Sequence, residues 1–543
     1  MTVGDSTETQ LLQKIATAMR AGNSAAAAEL AQGALTRGQC HPLLYLARAT
    51  HLDVTGKSAD ALADFLEARR LSPRDPMVIN GAAICLGRMG RLAESVEAFD
   101  ASLALDPALA TTHFHKGWAL ETNGLSARAA ESYARAKDLV PSYAAAWAGL
   151  ARVAEKLEDW DTVTTAATRT LALDPHQRRA VLSLALADMQ GSRSESAEMR
   201  LRTLLSGAPV LPAHLRIAAL GLLADTLDRQ GRIDEAFATY VAENEERGRA
   251  ISGDRFFDVA ALVEGVSEHF SRTYPGRWTL ESAGPDDGGP YPEHVFLLGF
   301  PRTGTTLLEQ VLFAHPDVAT LEESDTLDGA AERYLLDGPS RDRFTALSGA
   351  ALAEERRIYW QKVRCHSPRS GARIFVDKLP LNTIKLPLIA KLFPQAKIIL
   401  AVRDPRDVVF SCFRRHLPLN ASTAPFLSLD KTARFFDRVM TLANLCRERL
   451  PLGFHVHRHE AFVADFRTEL RALCDFLGLS WTDAFDDFAS VARQRAIKSV
   501  SAPQVRRGLY GDGEGHWRRY RHHLDPVLSL LEPWVEMFGY EAD

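Results

Sequence analysis

No run of apolar residues in this 543-residue chain approaches the length of a membrane span, and the opening MTVGDSTETQLLQK lacks the basic start and apolar stretch of a secretory signal. The six cysteines, Cys40, Cys85, Cys365, Cys412, Cys446 and Cys474, are scattered without CxxC spacing. That fits reduced thiols better than a disulfide frame or a zinc site, and a cytoplasmic setting is the expectation. Basic residues are not in excess: 64 Lys and Arg stand against 69 Asp and Glu, a formal charge of -5. This argues against a general nucleic-acid binder, and any cationic site must be local. With 46% hydrophobic and 24% charged residues the chain is neither disordered nor fibrous, and its length calls for more than one domain.

What the first half does contain is a period. Pro73, Pro107, Pro141 and Pro175 recur at about 34 residues, and Gly22, Gly56, Gly90 and Gly124 keep the same interval, with Glu158 next in register. A glycine permits the tight turn between two helices and a proline cannot continue the second, so each unit reads as helix, turn, helix, stop. Small residues (Ala49, Ala83, Gly117, Ala151) precede the turns, and Ala27, Ala61 and Ala129 follow them, where neighbouring helices must approach closely. Ala236 holds the same place after Gly231. This resembles tetratricopeptide repeats, about seven of them over residues 8–250, with the sixth blurred near Gly191. Such a solenoid binds a protein or peptide on its surface, or only scaffolds the molecule. The register ends after AENEERGRAISG, and residues 251–292 read as a helical connector closed by the linker SAGPDDGGPYP.

From Glu293 the pattern changes. EHVFLLGF is an apolar run suited to a buried parallel strand; it feeds PRTGTT at 301–306, which opens the helical stretch LLEQVLFAH. Strand, glycine loop and helix N-terminus form a cradle for phosphate. The Walker lysine is absent: Thr305 stands in its place, and Arg302 supplies the cation from inside the loop. A second apolar run, AKIILAVR, ends in Arg403 and starts RDPRDVVFSCFRRH, with Pro405 set for the first turn of a helix. Ligands of open parallel sheets bind at that carboxyl edge, and two strand ends here carry cations.

Together these segments resemble the PAPS-dependent sulfotransferases (PAPS, 3'-phosphoadenosine-5'-phosphosulfate), in particular the tyrosylprotein sulfotransferase branch and bacterial repeat-bearing relatives, over residues 293–543. The resemblance implies an N-terminal helical solenoid followed by a P-loop-like parallel α/β domain, α plus α/β in class. It implies that Arg302, Thr303, Gly304, Thr305 and Thr306 bind the 5'-phosphosulfate, that Arg403 and Ser411 bind the 3'-phosphate, and that Arg415 makes a further contact with the donor. Within LEES, Glu323 would be the general base that takes the acceptor's proton. Lys378, ending RIFVDK, would stabilise the leaving oxygen, and Ser501 would act in the transition state. The segment to Tyr510 would cover the nucleotide, and GHWRRYRHHL would close the site around Trp517. Two departures stand out: His459 replaces the adenine-facing tyrosine of the family's YEDLV-like element, and His516 replaces a lysine. His315 invites a histidine-base reading, but its HPD context suits a helix end.

The expected reaction is sulfuryl transfer from PAPS to a hydroxyl, protein tyrosine among the candidates, leaving adenosine 3',5'-bisphosphate (PAP). No metal is expected, since no ligand cluster is visible in the sequence. Two rivals remain at this level: a P-loop phosphotransferase, disfavoured by the missing lysine, and a non-enzymatic repeat adaptor, disfavoured by the retained Arg302, Lys378, Arg403, Ser411 and Glu323.

Overall fold

The computed structural model describes residues 3–208, 210–250, 258–276, 289–366, 368–490 and 513–541. Two compact units divide the chain, Met1–Gln230 and Gly231–Asp543.

The first unit is a row of helical hairpins, from Val3–Arg20 with Ser24–Thr36 to Arg178–Gln190 with Ser194–Ser206. The turn register of the sequence is a register of left-handed backbone. Gly56, Gly90 and Gly124 sit at φ 81, 75 and 79°, and Glu158 takes the same conformation at 57°. The sixth turn uses Ser192, at φ 59°, while Gly191 has a negative φ and caps the preceding helix. The blur near Gly191 is thus a repeat whose left-handed position is filled by serine. The small residues are packing requirements. Tyr133 is fully buried, and a Cβ on Gly117 or Gly149 would come within 2.9 or 2.6 Å of its ring. Its hydroxyl donates to Glu121 at 2.7 Å, and Arg152 holds the same carboxylate at 2.9 Å.

The second unit begins with helix α1, Ile233–Ala250, and is built on five parallel strands in the order β2-β3-β1-β4-β5: β1 Glu293–Gly299, β2 Val318–Glu322, β3 Ile374–Lys378, β4 Lys397–Val402 and β5 Gly453–Arg458. Helix α2, Thr305–Phe313, follows β1, helix α3, Pro405–Arg414, follows β4, and helix α4, Arg521–Met537, ends the unit. β1 is central because it is apolar on both faces: Val295, Phe296, Leu297 and Leu298 are all fully buried. Val295, Leu297, Val311 and Leu312 pack with Ile399, Leu470 and Leu473 in one core. The strand order reverses around β1, and Gly299 pairs with Ala401, so the loops after β1 and β4 emerge side by side. Among the described residues no helix is long and apolar enough to cross a membrane.

Candidate functional site

Two loops and a strand end meet at the carboxyl edge of the sheet. After β1 the chain turns through Arg302 at φ 73° and Gly304 at φ 88°, and Gly304 caps α2. The first amides of a helix have no partner within it, and this N-terminus lines the cavity described below, where such amides suit an anion. Thr303 turns inward instead: it is buried, and its hydroxyl donates to Phe300 O at 2.7 Å, bracing the loop. Gly304 is required by contact as well as by conformation, since a Cβ there would lie 2.4 Å from His459 Nδ1.

Arg403, from the end of β4, reaches the same loop. Its guanidinium donates to Arg302 O at 3.4 Å and to Gly513 O, and its Nε is buried without a hydrogen-bond partner. Arg302 Nε in turn donates to Ser411 Oγ at 3.2 Å, one face of α3 being turned to the loop. Arg415 is the C-terminal cap of α3 and does not line the cavity described below. His459 is buried against this pair of arginines. Burial, helped by Arg403 and Arg302, pushes its pKa down to about 3, so the ring is neutral where two guanidiniums already concentrate positive charge.

Glu323 stands just beyond β2, at φ 42°. In the second unit it and Arg302 are the non-glycine residues at positive φ among the described residues, and backbone strain of this kind gathers at functional sites. Its carboxylate is 2.9 Å from Lys378 Nζ, and its amide donates to Lys378 O at 2.8 Å. The pairing follows from register, since β2 and β3 run parallel with Glu322 opposite Lys378. Lys378 is fully buried, with Glu309 and Glu322 each 3.5 Å away. Burial opposes its charge, but Glu309, Glu323 and Glu322 outweigh that and hold its pKa above the ordinary lysine value. It is thus a buried charge within the wall beside Glu323.

A cavity of about 730 Å³ joins Arg302, Arg403, His459 and Glu323; Ser411 and Lys378 are not among its lining residues. Arg302, Gly304, Thr305, Thr306, Arg403, His459 and Glu323 line it together with the apolar Leu335, Leu379 and Ile384. Two arginines and a helix N-terminus among the lining residues are donors of the kind a polyanion takes, with Arg403 already 3.9 Å from Asp407 and 4.0 Å from Glu460. Ser501 and Tyr510 lie outside the described residues. His315 is away from the cavity and structural, its Nδ1 accepting from Asp317 N at 3.1 Å and its Nε2 lying 3.2 Å from Ser480 O.

Sequence reasoning passed over Asp407, which organises the closing segment. Its carboxylate accepts from Gly515 N at 2.7 Å and Trp517 N at 2.9 Å, while Arg406 covers the buried Trp517 ring at 4.1 Å. The signal was present in RDPRD, whose second aspartate reads as an ordinary helix-start acid.

Residues 292–483 match the model of the sulfotransferase family, and residues 12–76 and 81–144 match that of the tetratricopeptide repeat. A protein of Aquifex aeolicus (strain VF5), described as uncharacterized, is 24% identical over 419 residues, 74% of this chain and 52% of its own length. The chain therefore spans about half of that relative. Protein-tyrosine sulfotransferase 1 of Danio rerio is 28% identical over 260 residues, 46% of this chain and 72% of that protein. The crystal structure of MamA protein overlaps 32% of this chain and 98% of its own at 18% identity, with a TM-score of 0.29.

Proposed function

From a chain whose residues 292–483 form a sulfotransferase-family domain behind tetratricopeptide repeats, we propose that this protein transfers a sulfuryl group from PAPS to a hydroxyl acceptor and releases PAP. The observation that carries the reading is the cavity in which Arg302, Arg403 and Glu323 meet. A donor with phosphates at both ends of its ribose needs two cationic sites, and the adjacent loops after β1 and β4 supply them.

In this reading the loop amides, Thr305, Thr306 and Arg302 hold the 5'-phosphosulfate. Arg403 and Ser411 hold the 3'-phosphate. The acceptor oxygen attacks sulfur as the bond from sulfur to the 5'-phosphate oxygen breaks, and the acceptor's proton passes to Glu323. Sulfuryl transfer asks a protein mainly to align the two oxygens and to neutralise charge, so fixed cations and one base suffice. Lys378 is a positioning residue here: it fixes the Glu323 carboxylate from behind. Protein tyrosine is one acceptor this chemistry suits, and the repeats would bind a protein partner or the acceptor itself.

The test is to incubate the protein with sulfur-labelled PAPS and a cell lysate, then to fractionate the label. Label in one macromolecular or small-molecule fraction, with PAP formed in equal amount, is expected. Absence of transfer together with equal thermal stabilisation by AMP and PAP would overturn the reading.

A further inference from the structure

Away from the cavity, the N-terminal turns of α1 and α4 bring three metal-ligating side chains together. Asp234 projects from the first turn of α1, and His522 and His523 from the first turn of α4. Nε2 of His522 lies 2.7 Å, and Nε2 of His523 2.9 Å, from the same carboxylate oxygen, Oδ1 of Asp234. The donor atoms of the three residues lie within 4.8 Å of one another. We propose that Asp234, His522 and His523 form a divalent-cation site of the zinc class that clasps α1 to α4.

The donor chemistry is two imidazole nitrogens and one carboxylate oxygen, the set that borderline cations such as zinc take with a solvent molecule in the remaining position. Asp234 is 81% and His522 58% exposed, so both an entry path and that solvent molecule are available. Two adjacent imidazoles aimed at one oxygen are an economical arrangement for a cation bound by lone pairs. As hydrogen bonds alone they require both Nε2 atoms to carry protons toward a single acceptor.

The orientation is held from behind. The His523 ring stacks on Phe237 with centroids 4.0 Å apart and planes 5° from parallel, and Phe237 packs on Phe413 at 5.5 Å. Phe237 lies three residues beyond Asp234, on the same side of α1. Such outer support is what fixes a ligating imidazole. α1 itself is anchored to the body, with Asn244 Nδ2 donating to Phe413 O at 2.9 Å and Arg247 to Leu417 O at 2.5 Å. Arg232, two residues before Asp234, is engaged with Glu235 at 2.5 Å. Because α4 continues directly from the segment that Asp407 anchors beside Arg403, a cation here would fasten the end of the closing segment.

The experiment uses the full chain, stripped with chelator and titrated with zinc chloride by equilibrium dialysis, with thermal unfolding recorded in parallel. One zinc per chain and a rise in melting temperature are expected. Asp234→Asn keeps an amide oxygen able to accept hydrogen bonds but is a poor ligand, and His522→Gln removes an exposed imidazole. Each should abolish the zinc and its stabilisation while leaving the zinc-free melting temperature within a degree or so of the parent, as for exposed substitutions generally. Failure of the parent chain to retain zinc, or equal uptake by both variants, overturns the site.

Discussion

The ammonium of Lys378 lies 2.9 Å from Glu323 Oε1 and is itself fully buried, while Glu323 stands at the cavity. The pair divides two properties between two residues. Glu323 carries the accessible oxygen that proton abstraction needs, and Lys378 carries the charge that keeps Glu309, Glu322 and Glu323 compatible in one wall.

Glu323→Gln should therefore lower turnover by about a hundredfold or more, the usual scale for a general base, with PAP affinity unchanged. Steady-state sulfuryl transfer and a PAP titration check both halves. An active variant would remove Glu323 from the mechanism without touching donor binding.

Lys378→Met should behave differently. Removing the cation leaves buried carboxylates facing one another, a loss of about 3–5 kcal/mol when one partner of a buried ionic group is deleted. Urea unfolding should show that loss even without ligand. A variant of parental stability would mean that the three carboxylates do not depend on Lys378.

Gly304→Ala places a Cβ 2.4 Å from His459 Nδ1 at a backbone φ of 88°. The strained backbone alone costs about 1–3 kcal/mol, and the contact adds to it. Chemical denaturation should register the change, together with loss of stabilisation by PAP. Pairing it with His459→Gly relieves the contact and leaves the backbone cost, so the double variant should recover part of the stability and not all of it.

What could be read from the chain in advance divides by sequence distance. The repeats were legible because turn glycines and terminating prolines recur at one interval, and Glu158 was placed correctly by register alone. Ser192 was not, because Gly191 next to it drew the turn assignment, although the left-handed residue is the serine. The anion loop was legible because PRTGTT is contiguous with its strand and helix. The grip of Lys378 on Glu323 depends on the register of β2 and β3, which no local pattern states. Asp234 and His522 are 288 positions apart, so no spacing rule could bring them together.

Acid should weaken the fold partly through His459. In an unfolded chain an imidazole takes up a proton below about pH 6.5, whereas burial and the two arginines hold native His459 at about 3. Between those values the unfolded state binds the extra proton, so this contribution to stability is present above pH 6.5 and is lost as pH falls toward 3. Buried His457, also pushed down to about 3, acts in the same direction. Asp377, pushed up to about 6 by burial against hydrogen bonds from Tyr359 and Thr326, acts oppositely between its unfolded value and 6. His459→Gln isolates one of these groups. Between about pH 6 and 4 the parent should lose about 1.4 kcal/mol per pH unit more than the variant. Parallel curves from urea titrations would show that His459 takes up its proton in the native state too.

Arg403→Ala tests the division of the donor between two loops. AMP and PAP share the 5'-phosphate and differ in the 3'-phosphate, so a cation that meets only the latter should matter for PAP alone. A ligand at about a hundred times its dissociation constant stabilises a fold by about 2.7 kcal/mol, which thermal unfolding resolves readily. The parent should therefore melt higher with PAP than with AMP at equal concentration, and Arg403→Ala should show the same modest shift with both. The substitution removes the cation 3.9 Å from Asp407 and 4.0 Å from Glu460 but leaves both carboxylates their hydrogen bonds. Asp407 still accepts from Gly515 N and Trp517 N, and Glu460 still accepts from Asp404 N at 3.0 Å. The variant should accordingly fold, and its ligand-free melting point provides the control. Arg302→Ala should instead reduce the shifts with both nucleotides, because its loop meets the end that AMP and PAP have in common. A surviving preference for PAP in Arg403→Ala would place the 3'-phosphate elsewhere and break the assignment of the loop after β4.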